Sequence, residues 1–174
     1  TGMSLEVIAP GVLCLLQDRG RFGAHRIGLT NGGPLDPAAF NACNRLLGNS
    51  PGSTAIEISF GGSHFRARVD TFICVTGAPM PLTINSVEKP QWAVHPLAAG
   101  DDIRLDFAER GCRSYLGVAD GFNIEPSFGS TSTVLREGIG GLDGDKLQPG
   151  DLLPCNRVSG RKCFYLPPGQ QPRY

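Results

Sequence analysis

Apolar and polar positions alternate along this chain in short runs separated by turn residues. Residues 5–8 and 12–16 flank a Pro10-Gly11 turn. Residues 55–60 alternate, Gly61-Gly62 turns the chain, and Phe65, Ala67 and Val69 then share one face of the next run. Residues 71–76 form a continuous apolar stretch of strand length. Residues 82–84 face the segment around Val87 across Asn85-Ser86, as in a hairpin. Residues 103–107 follow Gly100-Asp101-Asp102, residues 112–119 form a strand rich in small and aromatic residues, and Pro149-Gly150-Asp151 introduces Leu152-Leu153. Roughly ten strands at this spacing predict a sandwich or barrel.

One helix stands out against this pattern. Asp36 suits the N-cap and Pro37 the first helical position. Phe40, Cys43, Leu46 and Leu47 recur at helical spacing, and Gly48 is placed to close the helix. Its apolar stripe predicts that it covers a sheet. The expected class is therefore mainly β with one sheet-covering helix.

Composition narrows the function classes. The 174 residues suit one domain with a real core, or a domain plus part of another. Sixteen basic and sixteen acidic residues balance, which argues against nucleic acid or an anionic membrane as partner. No apolar run has the roughly 20 residues that span a bilayer, and no signal peptide is visible. Six scattered cysteines, without a CxxC pair, suggest buried reduced thiols and a cytoplasmic protein. Residues 1–3 read as an expression scar, and residues 166–174, LPPGQQPRY, as a linker. His25, His64 and His95 have no metal-like spacing, so no metal site is expected. Trp92, the only tryptophan, is expected in the core.

Candidate chemistry concentrates in two loops. Between residues 17 and 36, Arg19, Arg21 and Arg26 are crowded among Gly20, Gly23, Gly28, Gly32 and Gly33. Arginine matches carboxylate or phosphate oxygens, glycine admits a close backbone, and the loop ends at a helix N-terminus. These features suit an anion site, unless Asp36 caps that terminus itself. Alternatively, Asp18 pairs with Arg19 or Arg21 simply to pin the loop. The second loop, residues 128–141, sets Ser130, Ser132 and their threonine neighbours before Arg136 and Gly140. It either holds an oxygen-rich ligand or satisfies its own backbone. Glu57, between apolar neighbours, either faces solvent or points inward to a loop arginine; the inward pairing is favoured.

The stretches PGVLCLLQDRGRFGAHRIG, GGPLDPAAFNACNRLLGN, AIEISFGG, VTGAPMPLTINS, GCRSYLGVADGF and REGIGGLDGDKLQPGD follow in order along the chain. Together they resemble the Kip-antagonist / allophanate hydrolase subunit 2 family, which includes the C subunit of bacterial 5-oxoprolinase and the carboxyltransferase domain of urea amidolyase. The resemblance implies a cyclophilin-like β-barrel over residues 4–165, with a second subdomain beyond the linker. It also implies a Kip-inhibitor-like, or allophanate hydrolase subunit 1-like, partner and a small amide or lactam substrate. ATP would act in the complex, biotin is an option, and neither would be bound by this stretch. Carried over by motif, Gln17, Asp18, Gly20, Arg21, Gly33 and Asp36 match the first loop, Glu57 its following strand, and Ser130, Ser132, Arg136 and Gly140 the later loop. Asp18, Arg21, Asp36 and Arg136 would be catalytic, and Gln17, Gly20, Gly33, Glu57, Ser130, Ser132 and Gly140 would bind substrate.

Four positions depart from the family pattern. Gly32 replaces a serine, Thr131 an arginine, Val134 an aspartate and Asp120 a glycine. Changed substrate contacts or lost chemistry would explain them. Two readings follow: a component of an ATP-dependent amide-processing enzyme, inactive in isolation, or a non-catalytic regulatory module that engages a Kip-inhibitor-like partner. Prolyl isomerase activity would rest on the barrel type alone and is discounted.

Overall fold

The computed structural model describes residues 2–23 and 28–174. His25 and Arg26 lie outside the described residues. The strands are β1 (Ser4–Ala9), β2 (Leu13–Gln17), β3 (Ala55–Ser59), β4 (Ser63–Ala67), β5 (Thr71–Gly77), β6 (Leu82–Ile84), β7 (Val87–Lys89), β8 (Val94–Leu97), β9 (Asp102–Leu105), β10 (Arg113–Val118) and β11 (Leu152–Pro154). The helix α1 (Pro37–Leu47) lies between β2 and β3. One sheet runs β11-β1-β4-β9-β6-β7 and the other β2-β3-β10-β5-β8, with every ladder antiparallel. The expected class, a mainly β cyclophilin-like barrel with one sheet-covering helix, is the one observed.

The core follows from the alternation. Leu5, Val7, Phe65, Ala67, Ile103 and Leu105 point inward from the six-stranded sheet, while Glu6, Arg66 and Arg104 alternate outward. The five-stranded sheet is covered on both faces, so β3 and β5 are buried along their whole length. On its outer face α1 lays down Ala39, Phe40, Cys43 and Leu47 against Phe72, Cys74, Trp92 and Tyr115. Phe40 meets the edge of Tyr115 with ring centroids 5.9 Å apart. Trp92 is core, as expected, and Cys14, Cys43, Cys74 and Cys155 are buried thiols.

The helix termini match their sequence signals. Asp36 accepts a hydrogen bond from the Ala39 N–H, Pro37 opens the helix, and Gly48 closes it at φ 70°. Strand β8 gave no such signal, because Pro96 interrupts it. It survives as an outer strand with Pro96 opposite Phe72, a place where a missing ladder donor is tolerated. Its free edge is covered: Phe164 accepts from the Val94 N–H and the Leu166 N–H donates to Trp92. Residues 164–174 thus lie against the body, with Leu166 and Tyr174 packed on the helix cluster.

Close approach of helix and sheet depends on Gly117 in β10. A Cβ there would lie 2.7 Å from Cys43 Sγ and 2.9 Å from Leu47 Cδ1. Gly117→Ala is therefore expected to lift α1 and destabilise the protein by about 1–3 kcal/mol, the range for overpacking a filled interior. Denaturant unfolding checks this, and an unchanged midpoint would show that the helix seat has slack.

Candidate functional site

The two loops singled out in the sequence lie side by side along the outer edge of β2. Thr133 donates through its N–H and its hydroxyl to Leu16 O at 2.9 and 3.0 Å, and the Leu147 N–H donates to Cys14 O at 2.9 Å. The later loop thus covers the unpaired edge of β2, and the first loop leaves from the end of that strand.

Asp18 binds the two loops together. Its Oδ1 accepts from the Gly20 N–H at 2.8 Å, from the Ser132 hydroxyl at 2.9 Å and from the Ser130 hydroxyl. Its Oδ2 accepts from the Thr131 N–H at 2.9 Å, and its own N–H donates to Ser132 Oγ at 3.2 Å. Burial alone would raise its pKa, but donors from Ser130, Thr131, Gly20 and Ser132 prevail and hold it below the usual aspartate value. Ser130 and Ser132 are fully buried and engaged here.

Arg21 lies beneath the surface, 1% exposed. Its Nε donates to Ser127 O at 2.9 Å and its Nη2 to Ser130 O at 3.3 Å, while Nη1 has no partner among the described residues. No carboxylate among those residues lies within ion-pair distance of it. Burial lowers its pKa, opposed by the more distant charges of Asp18 and Glu137. Two glycines make room for the guanidinium. A Cβ on Gly140 would come within 2.4 Å of Nη2 and 1.8 Å of Ser132 O, and one on Gly32 within 3.6 Å of Nη1. Gly20 and Gly33 sit where the arms of the first loop cross: a Cβ on Gly20 would be 3.0 Å from Asn31 O, and one on Gly33 3.0 Å from Arg19 O.

Glu57 points inward, as favoured, but its partner is not an arginine. The Tyr115 hydroxyl donates to Oε2 at 2.6 Å, the Leu35 N–H donates to the same oxygen at 2.9 Å, and Gln17 Nε2 reaches Oε1 at 3.5 Å. Burial and the neighbouring Glu57 charge raise the Tyr115 pKa far above its usual value. Tyr115 also accepts from the Asp36 N–H at 2.9 Å. Asp36 caps α1 with Oδ1 and accepts from the Tyr174 hydroxyl at 2.8 Å with Oδ2. The helix N-terminus is thus occupied by its own cap.

Arg136 is the exposed charge of the later loop, its side chain 83% exposed and its Nη2 3.7 Å from Glu137 Oε1. Its Nη2 donates to Thr30 Oγ1 at 3.2 Å. Thr30 in turn donates to Glu137 through its N–H at 3.1 Å and its hydroxyl at 2.9 Å, a second fastening between the loops. The site residues therefore form two groups. Asp18, Gly20, Arg21, Gly33, Ser130, Ser132 and Gly140 surround the loop junction, whereas buried Gln17 and Glu57 and half-buried Asp36 form a strut beneath it.

Sequence reasoning missed Tyr115, Thr30 and Glu137. Tyr115 becomes visible only once β10 is known to pair with β3, which sets it opposite Glu57. Thr30 and Glu137 carry no pattern that marks them as a pair.

The departures also find places. Thr131 is buried with its hydroxyl 2.7 Å from that of Thr54. Asp120 holds a left-handed conformation, φ 67°, and its carboxylate takes Arg161 at 2.8 Å and Asn156 at 3.2 Å. Val134 lies against Gly32: a Cβ on that glycine would be 3.1 Å from Val134 Cγ2.

Because the folded pKa of Asp18 is depressed, its contribution to stability is complete above the usual value of 3.8 and is lost as pH falls through the lower folded value. Asp18→Ala should flatten that acid-side loss. At neutral pH it should cost about 1–3 kcal/mol through the buried donors left unpaired. Denaturant titrations of both proteins at a series of acidic pH values check the pair of outcomes.

Comparison with known proteins places the chain in a family. Residues 27–173 match the family described as the carboxyltransferase domain, subdomain A and B. The chain is 36% identical to the C subunit of 5-oxoprolinase from Escherichia coli (strain K12) over 154 residues, which is 88% of this chain and 49% of that protein. It is 33% identical to urea amidolyase of Saccharomyces cerevisiae over 151 residues, 86% of this chain and 8% of that one. The crystal structure of the Kluyveromyces lactis urea carboxylase superposes with a TM-score of 0.87 at 34% identity, covering 90% of this chain and 14% of that one. The chain thus spans about half the length of the bacterial relative and a small part of the yeast enzymes. With a matching fold and a family match across most of its length, this chain belongs to the carboxyltransferase-domain family, in the region of subdomains A and B.

Proposed function

We propose that this chain is a component of an ATP-dependent amide-processing assembly. The assembly either opens 5-oxoproline to glutamate or transfers carboxyl to a urea-like amide, and the chain is inactive in isolation. The relatives, named as a 5-oxoprolinase component and as urea amidolyase, support the reaction class. The observation that carries the role of the loops is the Arg21 guanidinium, buried without a carboxylate partner and with Nη1 unpaired among the described residues. A buried charge left in that state is costly, and an anionic oxygen brought by a ligand would complete it.

Both candidate reactions develop negative charge on an amide or carboxyl oxygen. Fixed donors that need no reorganisation stabilise such charge best. Arg21 is fixed by Ser127 and Ser130, and Arg136 stands at the rim held by Thr30. In this reading Arg21 and Arg136 hold the oxyanion. Asp18 and Asp36 orient the loops through bonds they already make. One buried and one exposed guanidinium suit a carboxylate-sized group rather than a triphosphate. ATP, and biotin where used, accordingly act on a companion: a Kip-inhibitor-like subunit and the second subdomain.

The regulatory alternative has one observation in its favour. The carboxylates of Asp18, Asp36 and Glu57 all have hydrogen-bonded partners, so none stands as a free base.

The test is an assay of the full-length protein assembled with its Kip-inhibitor-like companion, following ATP-dependent release of glutamate from 5-oxoproline, then carboxylation of urea. Arg136→Ala is expected to lower kcat/KM by about 10²–10³-fold, the usual effect of removing an oxyanion donor, with the assembly intact. Arg21→Lys, which keeps the charge but not the planar fork, should lower kcat in a protein that still melts cooperatively. An intact assembly that turns over neither substrate would select the regulatory reading.

A further inference from the structure

Arg19 stands beside Arg21 in the sequence but does not join it at the loop junction. Asp18 is occupied by N–H and hydroxyl donors, and Arg19 makes no ion pair among the described residues. Its side chain lies instead against Gly52, where a Cβ would come within 2.7 Å of Arg19 Cγ and Nε. With φ 80°, Gly52 gives the turn between α1 and β3 a bare backbone on which the arginine stem rests. Arg19 there lines a surface cleft of about 390 Å³, together with Asn41, Asn44 and Arg45 of α1 and with Asn49 and Pro51 after it.

Arg45 is not needed by the helix that carries it. A basic residue in a last helical turn ordinarily meets the terminal carbonyls. Here Arg161 donates to Leu47 O at 2.8 Å, while the N–H groups of Gly48 and Asn49 donate to Arg45 O and Asn44 O. The Arg45 guanidinium makes no ion pair among the described residues. Asp120, whose N–H donates to Asn49, has its carboxylate taken by Arg161 at 2.8 Å and Asn156 at 3.2 Å. Two guanidinium groups thus line one concavity that has no carboxylate in its walls.

We infer that this cleft is a second anion site, separate from the loop junction, and that it takes a doubly charged phosphate-type group. Two arginines supply the compensating charge and the planar forks that match such oxygens. The wall is fixed in advance: Asn44 Nδ2 donates to Ser53 O and Asn49 Nδ2 to Val118 O, both at 2.9 Å. Wall composition decides against a docking protein, whether a companion subunit or another segment of a longer chain. Such surfaces are anchored at their centre by aromatic or large apolar side chains, and Pro51 is the sole apolar residue here. The volume lies within the range of about 300–1,000 Å³ for small-molecule sites.

Calorimetry on the full-length protein tests the site, with inorganic phosphate as titrant and chloride at matched ionic strength as the blank. Arg19→Gln and Arg45→Gln should each weaken phosphate about tenfold or more, the loss of one charge-assisted contact. Both residues are exposed, so the melting temperatures should hold. Arg45→Lys keeps the charge without the fork and should give an intermediate affinity, which reads the site even where a glutamine variant melts lower. Arg136→Gln should leave phosphate affinity within twofold, and acetate, with a single charge, should bind at least tenfold more weakly than phosphate. No phosphate binding, or binding that both glutamine variants retain, would overturn the inference. Equal affinity for acetate would overturn the assignment to a doubly charged group. Binding lost only with Arg136→Gln would move the anion to the loop junction and also overturn it. None of these readouts depends on turnover, so failure of the assembly reading and failure of this site are separate results.

Discussion

The Asp18 carboxylate is the tie on which the loop architecture depends. It accepts from donors on both loops, one from Gly20 and three from residues 130–132. The two segments are more than a hundred residues apart in sequence. A carboxylate suits this task because it accepts several N–H and O–H groups at once and its negative charge strengthens each bond. Once the loops are joined, Arg21 is trapped between Gly32 and Gly140 and can grip the turn carbonyls. The glycines are therefore consequences of the tie. They are needed where two backbones and a guanidinium must occupy a space that admits no Cβ.

Beneath the loops lies a sheet that is buried on both faces, and that burial makes a polar strut necessary. Glu57 and Tyr115 are adjacent in the ladder and both buried, so each must find partners within the protein. They find each other, and then the backbone of Leu35 and Asp36 where the first loop enters the helix. Through Asp36 the same chain of bonds reaches Tyr174 in the last segment of the chain. The exit of the first loop, the helix cap and the seat of residues 164–174 are thus set by a single hydrogen-bonded line. The outer edges of this sheet are closed by backbone bonds as well, β2 by the later loop and β8 by residues 164–166. Neither edge is left as a template for another strand.

Much of this fold was legible because its signals are local. Alternation marked the strands, and Asp36, Pro37 and Gly48 marked the helix, since caps act within a single turn. Strand β8 was hidden because Pro96 argues against a strand unless one knows that it lies at an edge. In the site, the glycine and arginine clusters were visible but their partners were not. Nothing near Arg21 in sequence reveals that it will meet the carbonyls of Ser127 and Ser130. Nothing near Asp18 favours three residues of the later loop over a neighbouring arginine. The inward direction of Glu57 was favoured over the solvent face, yet the choice of Tyr115 over an arginine depends on register. Pairings of this kind are set by which strands become neighbours, which is a property of the whole topology.

The four positions expected to depart from the family pattern can be separated by place. Asp120 and Thr131 have structural partners, one holding Arg161 and the other meeting Thr54. Gly32 and Val134 differ, because they are in contact with each other and Gly32 adjoins the unpaired Nη1 of Arg21. A hydroxyl and a carboxylate at these two positions would offer acceptors to a buried cation. A hydrogen atom and an isopropyl group offer none. With glycine and valine at these positions, neither side chain offers Nη1 an acceptor, and it stays unpaired among the described residues. Retaining Arg21 under that condition makes physical sense when the same guanidinium is needed elsewhere. Its grip on the turn beneath Phe128 supplies that need within the folded chain.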